Sequence, residues 1–232
     1  MIFYLLLLGH LLGDFVLQTD SIAENKGKYR RWIALHAFIV TLCIFALALP
    51  FGALTLGLVL LNGVIHYFID YYKPVIIKTL KMSELMGFLT DQLLHVSLLY
   101  PISLAAVPDE TSLLLQYPHV VKLLAVLAFL TSFAAVLNQF LFGAVFPRTG
   151  GRFFERGEKR MGIFTRLTIT AAVYFSIVLS PLFLLLLPAA AAALFFAYRF
   201  GDGFRPRAGQ LAFKVSLDFA VSIAGIYLIF RI

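Results

Sequence analysis

Long apolar stretches recur along the whole chain and are interrupted by short segments that contain charged residues, Pro or Gly. A helix needs roughly 20 apolar residues to cross the hydrocarbon core of a bilayer, and stretches of about that length alternate here with polar breaks. The pattern predicts helices near residues 1–18, 33–49, 53–72, 88–106, 120–145, 164–181, 183–199 and 211–230. Pro181 and Pro188 leave seven spans open as the alternative to eight, since one kinked helix also fits that stretch.

The positively charged residues fall almost entirely in alternate breaks between these helices. All but three of the 19 Lys and Arg residues lie in the segments 26–31, 73–81, 148–166 and 199–207. Short loops of membrane proteins that are rich in Lys and Arg stay in the cytoplasm. Eight spans with both termini outside satisfy this rule at every loop, so the charge pattern predicts a multi-pass membrane protein of that orientation.

Composition supports a membrane protein and excludes several other classes. The chain is 61% hydrophobic and only 13% charged, which is far from a soluble globular domain. The formal net charge of +7 does not indicate a nucleic-acid partner, because the basic residues lie beside apolar stretches instead of on a soluble basic face. The single cysteine, Cys43, excludes a disulfide framework and a Cys-based zinc site. Nothing in the sequence indicates the oligomeric state.

The predicted fold is therefore all-α, a polytopic transmembrane helical bundle that forms one continuous membrane domain. Residues 1–106 would form a four-helix module, and residues 107–232 would add about four C-terminal spans. The first module is singled out by its chemistry, because its apolar helices contain groups that are costly to bury in a bilayer.

The first four predicted helices carry four histidines and three aspartates, and three of these helices carry a His/Asp pair spaced four residues apart. The pairs are His10 with Asp14, His66 with Asp70, and Asp91 with His95, and the second helix adds His36. Residues four apart lie on one face of a helix, so each pair can offer two ligands to one centre. In the predicted topology all seven groups lie in the cytoplasmic half of the membrane, which predicts one site that opens toward the cytoplasm.

Neutral imidazole and carboxylate suit divalent Zn, Mn, Fe or Ni, and seven candidate ligands are enough for one or two ions. A metal site is the interpretation that the pattern favours. Two alternatives use the same residues: a proton relay or ion pathway, and polar side chains that hydrogen-bond the helices together.

Five further polar residues lie close to the proposed site in sequence. They are Gln18, Lys26, Asn62, Lys73 and Gln92. The amides are candidates for hydrogen bonds to a ligand or substrate, and the two lysines flank the predicted mouth, where an ammonium group can hold a phosphate or carboxylate. Bridging between helices and anchoring of the loops are the alternative roles for these residues.

Several motifs carry a resemblance to a known family. They are HLLGDFVLQT from His10 to Thr19, then Asn25 and Lys26, LHA around His36, HYFIDYYK from His66 to Lys73, and DQLLH from Asp91 to His95. The N-terminal hundred residues resemble the DUF3307 family of uncharacterised bacterial membrane proteins. This resemblance implies the inner (cytoplasmic) membrane of a bacterium. The His/Asp helices of that family look like those of membrane-bound metal-dependent hydrolases of the YdjM type, which is an analogy of fold.

These observations lead to three functional hypotheses. In the first, the protein is a metal-dependent hydrolase in which the histidines bind the ion while Asp14, Asp70 and Asp91 divide among ligand, general base and hydrogen-bond partner. A site within one leaflet suggests membrane lipids as partners and a lipid or lipid-linked phosphate, ester or amide as substrate. The second hypothesis is a divalent-metal or proton transporter, and the third is a metal-free membrane scaffold.

Overall fold

The structure is a computed structural model that describes residues 1–107, 113–146, 158–182, 187–188 and 208–231. These residues are almost entirely helical and include no strand, which confirms the predicted all-α class for this part of the chain. The helices are α1 (Ile2–Leu11), which continues as a π-helix (Leu12–Val16), α2 (Asp20–Lys26), α3 (Arg30–Ala48), α4 (Gly52–Thr79), α5 (Glu84–Ala105), α6 (Leu113–Gln116), α7 (Pro118–Ala128), a second π-helix (Phe129–Phe133), α8 (Ala134–Val145), α9 (Glu158–Val178) and α10 (Ala208–Arg231).

Several helices extend beyond the apolar stretches that predicted them. Helix α4 ends at Thr79 instead of near residue 72, and α3 begins at Arg30 instead of near residue 33. Lys, Arg and Tyr are compatible with a helix, so the charged residues that end an apolar stretch do not end the helix. The short helix α2 was not predicted as a separate element, and the predicted helix at 183–199 lies almost entirely outside the described residues.

Two segments of the described chain are long and apolar enough to cross a membrane: Arg30–Thr79 and Pro118–Val145. A third candidate consists of Ile2–Val16 and Asp20–Lys26, which qualify together but are bent by 87° at the break between them. The described residues therefore support two or three spanning segments, and the bundle of eight or seven spans stays a prediction.

The chain divides into two compact units, Met1–Ala128 and Phe129–Ile232. The predicted module at 1–106 lies within the first unit. In this unit α3 packs against both α1 and α4, and α5 packs against α1 and α4. Fully buried apolar side chains such as Leu5, Leu6 and Ile44 fill the space between these helices. The arrangement brings α1, α3, α4 and α5 together around a common centre.

Two glycines let α1 approach the backbone of α3 closely. A Cβ at Gly9 would lie 2.7 Å from Ile44 Cα and 3.0 Å from the carbonyl oxygen of Cys43, and a Cβ at Gly13 would lie 2.5 Å from Val40 Cα. Small residues four apart are a common device for close helix packing in membranes. The sequence contains this signal as GHLLG, and it positions the end of α1 that carries the first His/Asp pair against α3.

Replacing Gly13 by alanine is expected to destabilise the first unit by about 1–3 kcal/mol, because the added methyl group overlaps the backbone of α3 and cannot be accommodated by a rotamer change. The measurement is thermal unfolding of the purified protein in detergent, followed by circular dichroism. Gly57→Ala is the matched control, since a Cβ at this exposed position in α4 meets nothing within 4 Å. The control should be unchanged or more stable by about 0.5–1 kcal/mol. Equal stability of the two variants would contradict the close approach of α1 and α3.

The second unit contains a buried ion pair that the sequence analysis did not predict, because Arg166, at the start of the predicted helix 164–181, was used only as part of the positive-charge pattern. In the structure Arg166 lies inside α9, and only 2% of it is exposed. Its Nη1 and the Nδ2 of Asn138 donate to the same oxygen of Asp218, at 2.6 and 2.7 Å, and its Nε donates to the carbonyl of Leu130 at 2.6 Å. Leu130 belongs to the second π-helix, where the regular helical ladder is interrupted. These bonds tie α8, α9 and α10 together.

Candidate metal site

Four helices supply the seven side chains that the sequence analysis singled out, and the structure brings them together in one buried cluster. In chain order they are His10 and Asp14 from α1 and its π-helix, His36 from α3, His66 and Asp70 from α4, and Asp91 and His95 from α5. We call this set the His/Asp cluster. Each member is at most 8% exposed. Buried charges of this kind are costly unless they are paired or coordinate a cation.

Each pair spaced four residues apart lies on one helix face, as the spacing predicts. The Nε2 atom of the histidine lies 3.9 Å from a carboxylate oxygen in the pair from α1, 3.7 Å in the pair from α4 and 3.4 Å in the pair from α5. His36 joins two of the pairs, because its Nε2 lies 2.8 Å from Asp14 Oδ1 and 3.4 Å from Asp70 Oδ2. Two ligand atoms on one zinc-sized ion are about 3 Å apart, so these separations are suitable for shared coordination.

The cluster contains two groups of three residues with the composition of a metal site. One group is Asp14, His36 and His66, and the other is His66, Asp70 and His95; in each group one ligand atom per residue lies within 4.8 Å of the others. His66 belongs to both groups. The geometry therefore fits either one ion bound by some of these residues, or two neighbouring ions that share His66, which would then bridge them as an imidazolate through its two ring nitrogens.

The imidazole rings form a continuous set across the helices. The rings of His66 and His95 are stacked with centroids 3.9 Å apart, and the ring of His36 lies 5.3 Å from that of His66. The ring of His10 lies 6.0 Å from His66 and 5.7 Å from His95. All four imidazoles thus converge on one small volume, although His10 belongs to neither group of three.

Several buried atoms of the cluster have no hydrogen-bond partner within the structure. They are His36 Nδ1, His66 Nε2, Asp70 Oδ2, Asp91 Oδ1, His95 Nδ1 and His95 Nε2. Most buried polar groups in proteins are hydrogen-bonded, and an unsatisfied one costs about 1–3 kcal/mol. His66 Nε2, Asp70 Oδ2 and His95 Nε2 belong to residues of the second group, where a cation would satisfy them together. The orphaned atoms fit a bound divalent ion better than a network of hydrogen bonds between helices.

Two lysines border the cluster on its accessible side. Lys26 Nζ lies 3.3 Å from His36 Nε2 and 3.8 Å from Asp70 Oδ2, and Lys73 Nζ donates to Asp91 Oδ2 at 2.8 Å. Their side chains are 23% and 29% exposed, in contrast to the cluster that they touch. We call Lys26 and Lys73 the lysine pair. The lysine pair therefore forms a partly exposed edge of the otherwise buried His/Asp cluster.

Gln92 links α1 and α5 inside the site. Its Nε2 donates to Asp14 Oδ2 at 3.0 Å and to Asp91 Oδ2 at 3.1 Å, while its Oε1 lies 3.3 Å from His10 Nε2. An amide oxygen only accepts, so this contact requires hydrogen on Nε2 of His10 and leaves the other ring nitrogen as the one that can bind an ion. Gln92 thus contacts three members of the cluster and also bridges two helices, so these contacts fit both roles that the sequence analysis gave for this residue.

No contact described for the two remaining amides assigns them a role at the cluster. Asn62 is 5% exposed and lies one helical turn before His66 on α4. Gln18 follows the π-helix, and its Oε1 is buried without a hydrogen-bond partner in the structure. Both positions remain available for a substrate or an ordered water.

Backbone features that the sequence analysis missed set the geometry of the site. Asp14 lies in the π-helix, whose wider turn changes the direction of side chains and is frequent at functional sites. The chain then bends by 87° into α2, whose last residue is Lys26, so the bend returns this lysine to the cluster. Thr19 caps α2 by accepting from the backbone N–H of Ile22. The Thr19 cap was readable from the sequence, whereas the π-helix was not.

The family comparison matches the part of the chain that contains this site. A family model described as "Protein of unknown function (DUF3307)" matches residues 2–125. This range includes the whole His/Asp cluster, the lysine pair and the three amides. No curated protein and no solved structure matches the chain.

Proposed function

This chain belongs to the DUF3307 family of proteins of unknown function, and from its site we propose that it is a membrane-embedded, metal-dependent hydrolase of a lipid or lipid-linked substrate. The observation that carries the proposal is the pair of three-residue ligand groups that meet at His66 inside a buried cluster. Imidazole and carboxylate ligands suit Zn, Mn, Fe or Ni, and one or two ions fit the number of ligands.

The proposed chemistry divides the three aspartates between two roles. Asp14 and Asp70 each belong to a ligand group, whereas Asp91 belongs to neither of the groups found among the described residues. Asp91 Oδ2 accepts from Lys73 and Gln92, and its Oδ1 is buried without a hydrogen-bond partner in the structure. A divalent ion would lower the pKa of a bound water toward neutrality. Asp91 Oδ1, which lies 3.4 Å from His95 Nε2 but makes no hydrogen bond in the structure, is the carboxylate oxygen that can accept the proton of this water, so we assign Asp91 as the general base.

The proposed location is the inner membrane of a bacterium, in a bundle of about eight spans with the site open to the cytoplasm. The segment Arg30–Thr79 contains α3 and α4, which are 19 and 28 residues long and pack against each other. It turns at Gly52, whose φ is 78°, so it would cross the membrane twice. Large apolar side chains on the outer faces, such as Phe38 at 63% and Leu93 at 70% exposure, are suited to contact lipid.

Helix α5 also has the length of a span, with 22 residues, although it is less apolar than the two candidate segments. It carries Asp91, Gln92 and His95, so the site itself reduces the hydropathy of this helix. The same reasoning explains how α1 can lie in a membrane while it contributes two ligands. Intramembrane ionisable residues are rare and usually serve a function.

Metal bound at this site should stabilise the folded protein. A ligand present at about a thousand times its dissociation constant stabilises by about 4 kcal/mol, so removal of the ion is expected to lower the melting temperature by several degrees. The experiment is to purify the full chain in detergent without chelator and to measure metal content by plasma mass spectrometry. Thermal unfolding is then compared before chelation, after chelation and after reloading with the same ion.

We expect about one or two transition-metal ions per chain and a melting temperature that falls on chelation and recovers on reloading. Gly57→Ala serves as a control for handling, because it changes an exposed position away from the cluster. Wild-type protein that neither retains nor binds a transition metal would overturn the proposed function.

A further inference from the structure

Lys26 contacts residues that a bound metal would also use, so its ammonium group and the metal compete for the same ligands. Lys73 lies beside them at Asp91. Lys26 Nζ approaches His36 Nε2 and Asp70 Oδ2, which are atoms that an ion in the cluster would also use. The contact between Lys73 and Asp91 likewise satisfies a carboxylate of the cluster. An ion bound by His36 and Asp70 therefore weakens the attraction that holds the Lys26 ammonium group directly. Its positive charge also reduces the negative potential that holds Lys73 at Asp91, and both lysine side chains are already partly exposed.

The net charge of the site indicates which kind of ligand the released lysines would bind. With neutral imidazoles, the three aspartates and the lysine pair together carry a net charge of −1. One divalent ion changes this to +1, and two ions bridged by an imidazolate of His66 change it to +2. Excess charge in a buried site is unfavourable unless a counter-charge compensates it. A neutral carboxylic ester or amide leaves the excess uncompensated, whereas a phosphate group supplies one or two negative charges.

From these two observations we propose that the substrate is a phosphate ester whose non-bridging oxygens are held by Lys26 and Lys73 beside the metal. The proposal rests on the metal-dependent hydrolase proposed above and names its substrate class. Lysine is a common phosphate ligand that acts as a point charge.

The reaction that this arrangement supports is hydrolysis without a change of oxidation state. The oxygen of a water molecule forms a bond to phosphorus, and the bond between phosphorus and the ester oxygen breaks. Asp91 accepts the proton of the water and passes it to the oxygen of the leaving alcohol, so the products are the alcohol and the phosphate. Two sources share this chemistry, a phospholipid headgroup and a soluble phosphate ester.

The test measures phosphate binding and metal content in the same samples of full-length protein in detergent. The protein is loaded with Zn²⁺, and the affinity for radiolabelled inorganic phosphate is measured by equilibrium dialysis. The variants are Lys26→Met and Lys73→Met, with Lys26→Arg to retain the charge. Lys28→Met and Lys78→Met are matched controls, since both lysines are exposed and close in sequence to the lysine pair.

We expect each methionine variant of the lysine pair to weaken phosphate binding by about tenfold or more, which is typical for loss of a charged hydrogen bond. Metal binding should be unchanged or tighter in these variants, because a competing ammonium has been removed. Lys26→Arg should retain most of the phosphate affinity, and both controls should behave as wild type. A merely structural lysine would instead affect metal and phosphate together.

Competition separates the two sources of the phosphate. Didecanoyl phosphatidic acid in micelles should displace the labelled phosphate at a lower concentration than glycerol 3-phosphate if the substrate is a lipid, and the reverse order identifies a soluble ester. Metal-loaded protein that binds no phosphate, equal phosphate affinity in all variants, or loss of metal from the methionine variants overturns the inference alone. Wild-type protein that binds no metal overturns both this inference and the hydrolase.

Discussion

His66→Ala is expected to abolish stoichiometric metal binding, while alanine at any other histidine of the cluster leaves part of it. His66 is the only residue shared by the two ligand groups found among the described residues. Its ring also stacks on His95 and faces His36, so its loss removes the element that connects both groups. Substitution of a residue that only orients a metal ligand weakens metal binding by about 10–100-fold. Loss of a ligand that both groups share should weaken metal binding by more than this.

The measurement is metal content by plasma mass spectrometry, together with the dissociation constant obtained by chelator competition. His119→Ala is the matched control, because His119 is exposed and lies outside the cluster. This control should retain the full amount of metal. Full metal content in His66→Ala would show that the two groups do not form the binding site.

Alanine variants of the other three histidines of the cluster distinguish a site for one ion from a site for two. If each group holds an ion, His36→Ala should lose the ion of the first group and His95→Ala that of the second, so that each variant keeps about half of the metal. If the groups share one ion, each variant should instead keep one weakly bound ion. His10→Ala should have the smallest effect, since this ring contacts Gln92 and lies outside both groups.

The sequence was sufficient to predict which residues form the His/Asp cluster, because the decisive rule is local. Residues four apart share a helix face, so the pair of His66 and Asp70 could be recognised without knowledge of the fold. The convergence of four helices required a further assumption, that the helices cross a membrane and carry these groups at one depth. The structure brings the residues together, and the orientation in a membrane stays a prediction.

The features that the sequence analysis missed depend on interactions between distant residues. The π-helix around Asp14 adds one residue to a turn, and no local pattern requires it. The return of Lys26 to the cluster depends on the bend before α2, which is a property of packing. Arg166, at the start of a predicted helix, was counted only toward the positive-charge pattern, because its partners are 52 residues away at Asp218 and 36 residues away at Leu130. Charge alone does not distinguish a buried arginine from a loop arginine.

The close contact of α1 and α3 is a different case, because its signal was present in the sequence. Gly9 and Gly13 are four residues apart and lie on the face of α1 that meets Val40 and Ile44. The spacing was read only for its histidine and aspartate, although glycines at this spacing predict close packing of helices. Recognition of this motif would have indicated that α1 packs closely against another helix, but only the structure identifies that neighbour as α3.

Asp91→Asn is expected to retain the metal and to lower hydrolysis by about 10²–10⁴-fold, which is the usual contribution of a general base. The amide preserves the size of the side chain and its contact with Lys73, but its nitrogen cannot accept a proton. Asp14→Asn and Asp70→Asn should behave differently. Both residues belong to ligand groups, so their exchange should remove metal and activity together.

The assay compares metal content with phosphate release from didecanoyl phosphatidic acid in micelles and from glycerol 3-phosphate. Asp20→Asn is the matched control, because Asp20 is exposed at the start of α2, outside the cluster. If Asp91→Asn loses its metal, Asp91 is a ligand, and the water must be activated by another carboxylate. If the variant keeps both metal and full activity, Asp91 Oδ1 has no part in the chemistry. Retained metal with lost activity is the combination that separates the role of Asp91 from those of Asp14 and Asp70.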